Sequence, residues 1–143
     1  MSLQKAGGIA ALVEAVAYII GFAAMATVLN PGDVHGWTSI EKLAYLLERK
    51  SLFQLWSICI YVVFGIALVV LALALHERLK AKAPGLMQVA TVMGLIWAGL
   101  VIASGMISSV GLEVVAGLYA KDPAQAALAW LLSKEGVIVI PKT

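Results

Sequence analysis

Charged residues are scarce in this chain of 143 residues. Asp, Glu, Lys and Arg together make up 13% of it, whereas 62% of the residues are hydrophobic. A soluble globular domain has about 25% charged and about 45–50% apolar residues, so the composition excludes an ordinary soluble domain. It predicts an integral membrane protein, and the length allows about three or four spans of roughly 20 residues each.

Cysteine, clustered basic residues, paired histidines and catalytic motifs are also scarce or lacking, which argues against several classes of function. The single cysteine, Cys59, excludes an intramolecular disulfide, and its apolar surroundings indicate a small buried hydrophobe. The net charge of +2 is small and no block of Lys and Arg occurs, which argues against nucleic-acid binding. His35 and His76 are separated by a predicted span, so they cannot bind one metal ion within a chain, and we expect no metal and no cofactor. Phosphate-binding glycine loops and nucleophile motifs are also lacking, so we expect no enzymatic activity.

Three apolar runs predict membrane-spanning helices. The predicted spans cover about residues 9–29, 52–75 and 86–110. Asn30-Pro31 ends the first span, because proline cannot continue a helix. A cleaved signal peptide is the alternative for this run, since Ala24-Met25-Ala26 fits a signal-peptidase site. Glu14 interrupts the apolar run that such a signal needs, so we expect an uncleaved span.

The third apolar run is too long for one crossing. It continues from Leu86 to Ala120, which would make a helix of about 50 Å against a hydrocarbon core of about 30 Å. We expect this helix either to project beyond the bilayer or to break near Gly105 or Gly111.

Two further helices are predicted outside the spans. At about 39–50, the capping pattern from Thr38 to Glu41 opens a segment with apolar residues at helical spacing, which is typical of a helix lying in the membrane interface. The apolar positions are Ile40, Leu43, Ala44 and Leu47. Asp122-Pro123 predicts a short C-terminal helix at about 123–134. The expected fold is one all-α domain: a membrane bundle of three spans with an interfacial helix and a C-terminal helix.

The distribution of basic residues predicts the orientation. The turn at 76–85 has Arg78, Lys80 and Lys82 within ten residues, and short loops rich in Lys and Arg remain in the cytoplasm. We therefore expect a cytoplasmic N-terminus in a bacterial plasma membrane, with the 30–51 connection outside.

Glu14 is the sharpest functional candidate, because acidic side chains inside a membrane are costly and mark functional sites. It lies about five residues into the predicted first span, roughly 8 Å from its start. Tyr18, one turn later, could hydrogen-bond to it, and Thr91 on the third span is expected at a similar depth. Two interpretations stay open: a proton-coupling site, or a carboxyl group that joins helices.

Small residues on the third span predict close helix packing, because they allow backbones to approach one another. They form pairs four residues apart: Gly94 with Ala98, Gly99 with Ala103, and Gly105 with Ser109. The expected partners are the lipid bilayer and other membrane helices, in a homo-oligomer or a larger complex. Glu113 is expected at the outer face, near Arg49, Lys50 or Gln54.

The sequence resembles a family of uncharacterised multi-pass bacterial membrane proteins. The resemblance is carried by GLIWAGLVIASGMISSVGLEVVAGLYAKDPAQAALAW at 94–130 and by LQKAGGIAALVEAVAYIIGF at 3–22. It implies relatives with six spans, a little over two hundred residues and no assigned activity. Because Val137 to Thr143 ends this chain where the family continues into further spans, the resemblance implies a truncated or shortened member.

A local resemblance suggests another function. GGIAALVE at 7–14 is similar to the first helix of small multidrug resistance transporters, which implies a proton-coupling role for Glu14. The long 30–51 connection and the lack of a fourth span depart from that pattern. We therefore favour a non-enzymatic helix-packing or interaction subunit, with a proton-coupled small-molecule transporter as the alternative.

Overall fold

The computed structural model describes residues 2–122 and residue 125, and every regular element in this part of the chain is helical. The elements are α1 (Leu3–Ala26), α2 (Ser39–Glu48), α3 (Lys50–Ser57), a π-helical segment (Ile58–Val63), α4 (Phe64–Leu79) and α5 (Pro84–Tyr119). The C-terminal helix predicted at 123–134 lies outside the described residues except for Gln125, whose backbone N–H donates to Asp122 Oδ1 (3.2 Å).

Three helices are long and apolar enough to cross a membrane: α1, the continuous run from Lys50 to Leu79, and α5. We call the run Lys50–Leu79 the central helix. The prediction of three candidate spans is thus confirmed by length and composition, while the bounds differ from those expected.

α1 begins and ends earlier than the predicted span of 9–29. Ser2 accepts a hydrogen bond from the Lys5 backbone N–H (3.4 Å), so the helix starts at Leu3. At the other end, the Thr27 hydroxyl donates to Ala23 O (2.7 Å) and the chain leaves the helix after Ala26. Hydropathy missed the first turns because they are polar or glycine-rich.

The central helix extends beyond the predicted span of 52–75 at both ends. Its middle is the π-helical segment, where the backbone N–H of Phe64 donates to Cys59 O, five residues earlier. Such segments form where one extra residue is inserted into an α-helix. Nothing in the composition of this run predicted it.

The central helix is the middle layer of the bundle, since α1 and α5 each pack along it rather than on each other. Phe64 contacts both neighbours: its ring lies edge-on to Tyr18 of α1 (4.9 Å between centroids) and to Trp97 of α5 (6.4 Å). Both outer helices run antiparallel to the central helix. The N-terminus and the turn before α5 therefore lie at one end of the bundle, with α2 at the other.

α5 is one unbroken helix of 36 residues, about 54 Å long at 1.5 Å per residue. The helix extends beyond the span expected at 86–110, as in the alternative of a projecting helix, and the alternative of a break at Gly105 or Gly111 is wrong. Gly105 is not a weak point because a Cβ there would come 2.5 Å from Tyr61 Cβ. The glycine permits close packing on the central helix.

α2 has the predicted capping box. Thr38 Oγ1 accepts from the Glu41 backbone N–H (3.3 Å), and Glu41 Oε2 accepts from the Thr38 backbone N–H (2.7 Å) and hydroxyl (2.8 Å). These bonds from Thr38, the backbone bond above all, hold the pKa of the Glu41 carboxyl below its ordinary value.

The apolar face of α2 lies on the bundle. Leu43 is 1% exposed and packs with Leu47 against Val115 and Tyr119 of α5, while Ile40 is exposed. α2 therefore packs on the part of α5 beyond residue 110.

Candidate functional site

Glu14 lies in the middle of the face that α1 presents to the central helix. The buried residues of this face are all small: Gly7, Ala10, Ala17 and Gly21. A Cβ at Gly7 would collide with Ala74, and one at Gly21 with Ile60. This register places Glu14 level with Ala67, in a stretch where both helices are apolar.

Glu14 is also deeper in its helix than expected. It is eleven residues from the start of α1 at Leu3, about 17 Å along the axis, because the helix begins six residues before the predicted span. Its Oε1 atom is buried and has no hydrogen-bond partner in the described part of the chain. Buried polar atoms in native proteins are almost always paired, so an orphaned oxygen points to a proton or to a donor from elsewhere.

Tyr18 does not hydrogen-bond to Glu14. Its ring instead stacks on Phe22 (5.9 Å between centroids) and packs edge-on to Phe64, and the residue is 43% exposed. The aromatic contacts hold the side chain along the outer side of the α1 interface. The expected pair of Glu14 and Tyr18 is therefore not formed.

Thr91 is far from Glu14. Gly94 approaches Ala72, and a Cβ at Gly105 would approach Tyr61; this register puts Gly99 level with Glu14. Thr91 is eight residues away from Gly99, about 12 Å along the helix. The expected depth was wrong because it was counted from the onset of hydropathy and not from helix register.

Thr91 instead pairs with His76, a contact that the sequence does not predict. The Thr91 hydroxyl donates to Met87 O (2.6 Å), four residues earlier, and lies 2.8 Å from His76 Nδ1. His76 Nδ1 also lies 3.3 Å from Met87 O, and the tautomer of the ring decides whether Nδ1 donates or accepts in these contacts. His76 and Thr91 line a cavity of about 510 Å³ with Gln88, Val89, Val92 and Met93.

The small residues of α5 divide between two faces. Ala98 is fully buried, and Gly94, Ala98 and Gly105 face the central helix. Ser109 is half-buried beside them. Gly99 and Ala103 are exposed, and a Cβ at Gly99 would meet nothing within 4 Å. Within a single chain, Gly99 and Ala103 therefore take no part in close packing.

Glu113 has two of its expected neighbours. Its Oε2 accepts from Lys50 Nζ (2.9 Å) and its Oε1 from Gln54 Nε2 (2.7 Å). This prediction is confirmed, while Arg49 instead lies over the Tyr45 ring (4.2 Å). The carboxylate ties the start of the central helix to α5, and its side chain is 55% exposed.

The chain was compared with protein-family models, with curated proteins and with solved structures, and none of them matches. Among the described residues, no group of three or more His, Cys, Asp or Glu side chains could bind a metal ion.

Proposed function

We propose that this chain is a non-enzymatic subunit of a bacterial plasma-membrane assembly and that α5 binds a helix of a partner chain. The proposal rests on the face of α5 that is turned away from the central helix. Only Ala98 and Gly105 of its 36 residues are buried. On the other side, Gly99 and Ala103 are exposed one turn apart.

Small residues on an exposed helix face favour the binding of another helix in a bilayer. Lipid tails are as apolar as leucine, so membrane helices associate through close packing and not through the hydrophobic effect. Gly99 and Ala103 would let a partner backbone approach closely. α1 supports the same reasoning within the chain, where its small residues pack on the central helix.

Photocrosslinking in native membranes tests this face. The residue p-benzoylphenylalanine replaces Met106 or Val110, which are exposed on the same face as Gly99 and Ala103, and Ser104 is the matched control. Ser104 lies at the depth of Ala103 but about 100° further around the helix. We expect adducts from positions 106 and 110 and none from 104, and the adduct mass distinguishes a second copy from a different protein. Equal labelling at all three positions, or none, contradicts the proposal.

The second candidate function is proton-coupled transport of a small molecule, and the orphaned Glu14 Oε1 supports it. Uptake of a panel of small organic cations into proteoliposomes, driven by a pH gradient, tests it. If Glu14 couples transport, Glu14→Gln abolishes uptake; a Gln variant that behaves like the wild type removes this candidate. The tight contact of α1 with the central helix leads us to rank it second.

We also propose a cytoplasmic N-terminus. The Gln4 side chain donates to Ala74 O (2.9 Å), so the N-terminus lies at the same end as the turn that contains Arg78, Lys80 and Lys82. Lys5 adds to the positive charge of that end, and cytoplasmic ends of membrane proteins are enriched in such charge.

A further inference from the structure

The hydroxyl of Tyr18 and the carboxyl of Glu14 are both unpaired, although they lie one turn apart on α1. No hydrogen bond within the described part of the chain involves either side chain. α1 has 24 residues, of which Glu14 is the twelfth and Tyr18 the sixteenth, so both lie near the middle of a candidate span. Water is absent at that depth of a bilayer, and a polar group without a partner there is costly.

The two oxygens of Glu14 differ in what can reach them. Oε1 is buried by the chain itself, so a group from another molecule cannot contact it. The residue as a whole is only half-buried, and Oε2 is not among the buried unpaired atoms of the described residues. Oε2 is therefore the atom that can accept a hydrogen bond from another molecule.

Tyr18 cannot give that hydrogen bond to its own Glu14 without leaving its aromatic contacts. Its ring is stacked on Phe22 and lies edge-on to Phe64. The residue is nevertheless 43% exposed, and side chains of a helix lean toward the helix N-terminus. The hydroxyl, which has one hydrogen to donate, is therefore available to a neighbouring molecule near the depth of Glu14.

A second copy of the chain supplies the missing partner for both groups. No cation in the candidate spans lies at the depth of Glu14, since their other charged residues are near the ends: Lys5, Lys50, Glu77, Arg78 and Glu113. Two copies inserted in the same orientation have equal residues at equal depth. A twofold axis along the membrane normal then brings the Tyr18 of each copy to the Glu14 of the other, and such an interface closes as a dimer.

We infer that the side of α1 that carries Glu14 and Tyr18 binds the same side of a second copy. The Tyr18 hydroxyl of each chain donates to Oε2 of the partner's Glu14, so that the dimer contains two reciprocal hydrogen bonds. Ala11 and Ala15 beside these residues are small and exposed, which allows two helices to approach closely. This surface is on a different helix from the partner-binding face of α5, so the inference does not depend on that face.

Dimerisation of the full chain in liposomes tests the inference. It is measured by Förster transfer between labelled copies while the protein is diluted stepwise with lipid. Lys82→Cys carries the dye, in a chain that also has Cys59→Ala. Glu14→Leu removes the acceptor and Tyr18→Phe removes the donor. Each variant alone loses both hydrogen bonds of its dimer, which should lower the dimerisation constant about sevenfold.

The decisive measurement is a mixture of the two variants. A mixed dimer keeps one hydrogen bond, from Tyr18 of the Glu14→Leu copy to Glu14 of the Tyr18→Phe copy. After correction for statistics, its dimerisation constant should be only about threefold below the wild-type value, and thus above that of either variant alone. Mixing does not repair a folding defect, so the mixture separates such a defect from loss of the contact.

Tyr61→Phe is the matched control, because Tyr61 lies at a similar depth but packs against Gly105 of α5. It loses the same hydroxyl group and should leave dimerisation unchanged. A monomeric chain, a mixed dimer no stronger than those of the single variants, or equal weakening by Tyr61→Phe overturns the inference. A dimer that neither Glu14→Leu nor Tyr18→Phe weakens uses another surface, such as the exposed face of α5, and overturns it as well.

Discussion

Replacement of Leu43 by alanine should detach α2 from the bundle and leave the three long helices packed. Leu43 is the one fully buried large side chain of the described residues, and it contacts Leu47 of its own helix and Val115 and Tyr119 of α5. Replacement of a buried leucine by alanine lowers the free energy of unfolding by about 2–5 kcal/mol. This cluster is small and at the end of the bundle, so we expect the lower part of that range, about 2–3 kcal/mol.

Amide hydrogen exchange in nanodiscs measures this cost directly. A loss of about 2–3 kcal/mol should accelerate exchange in Ser39–Glu48 about 30- to 150-fold. Amides of Phe64–Leu79 should be unaffected, because their contacts are with α1 and the middle of α5. Ile40→Ala is the matched control, since Ile40 is on the same helix but 43% exposed. Unchanged exchange in α2, or acceleration throughout the bundle, would refute the reasoning.

Three further predictions concern the cap, the orientation and the helix packing. Because the pKa of Glu41 is lowered in the folded state, its carboxylate stabilises the α2 cap above the ordinary carboxyl pKa, and this stabilisation is lost as the pH falls through the lower folded value. Hydrogen exchange of the first-turn amides of α2, corrected for intrinsic rates, should show this loss. Glu41→Gln should abolish the pH dependence. A topology reporter fused after Lys82 should score cytoplasmic and one fused at Gly36 external, and the reverse result would invert the bundle. Gly105→Leu should lower stability to thermal unfolding in detergent by about 1–3 kcal/mol through overpacking, whereas Gly99→Leu should change it little; equal effects would contradict the assigned register.

The sequence predicts well the features that depend on hydrophobicity and depth along one helix. The long apolar runs identify the candidate spans, because a bilayer core needs about 20 apolar residues to be crossed. The Thr38–Glu41 pattern identifies the start of α2, because capping is local chemistry. The pairing of Glu113 with Lys50 and Gln54 follows from the position of all three near the ends of adjacent apolar runs.

The sequence does not predict features that depend on register between helices. Thr91 was expected near Glu14, but the contact of Gly7 with Ala74 places Glu14 level with Ala67. The approach of Gly94 to Ala72 places Thr91 beside His76 instead. Which small residues of α5 face the central helix is likewise decided by the position of Tyr61. These relations require the side chains of two helices to be known together.

The π-helical segment ties the two outer helices to one another through the central helix. Within Ile58–Val63, two consecutive residues contact different helices: Ile60 lies against Gly21 of α1, and Tyr61 lies against Gly105 of α5. Deleting Ile60 or Tyr61 would restore ordinary α-helical winding and leave the helices on both sides in phase, because the wide turn holds one extra residue. One of the two glycine contacts would then be lost. The length of this segment therefore constrains evolution more strongly than its composition, since apolar substitutions are tolerated where a deletion is not.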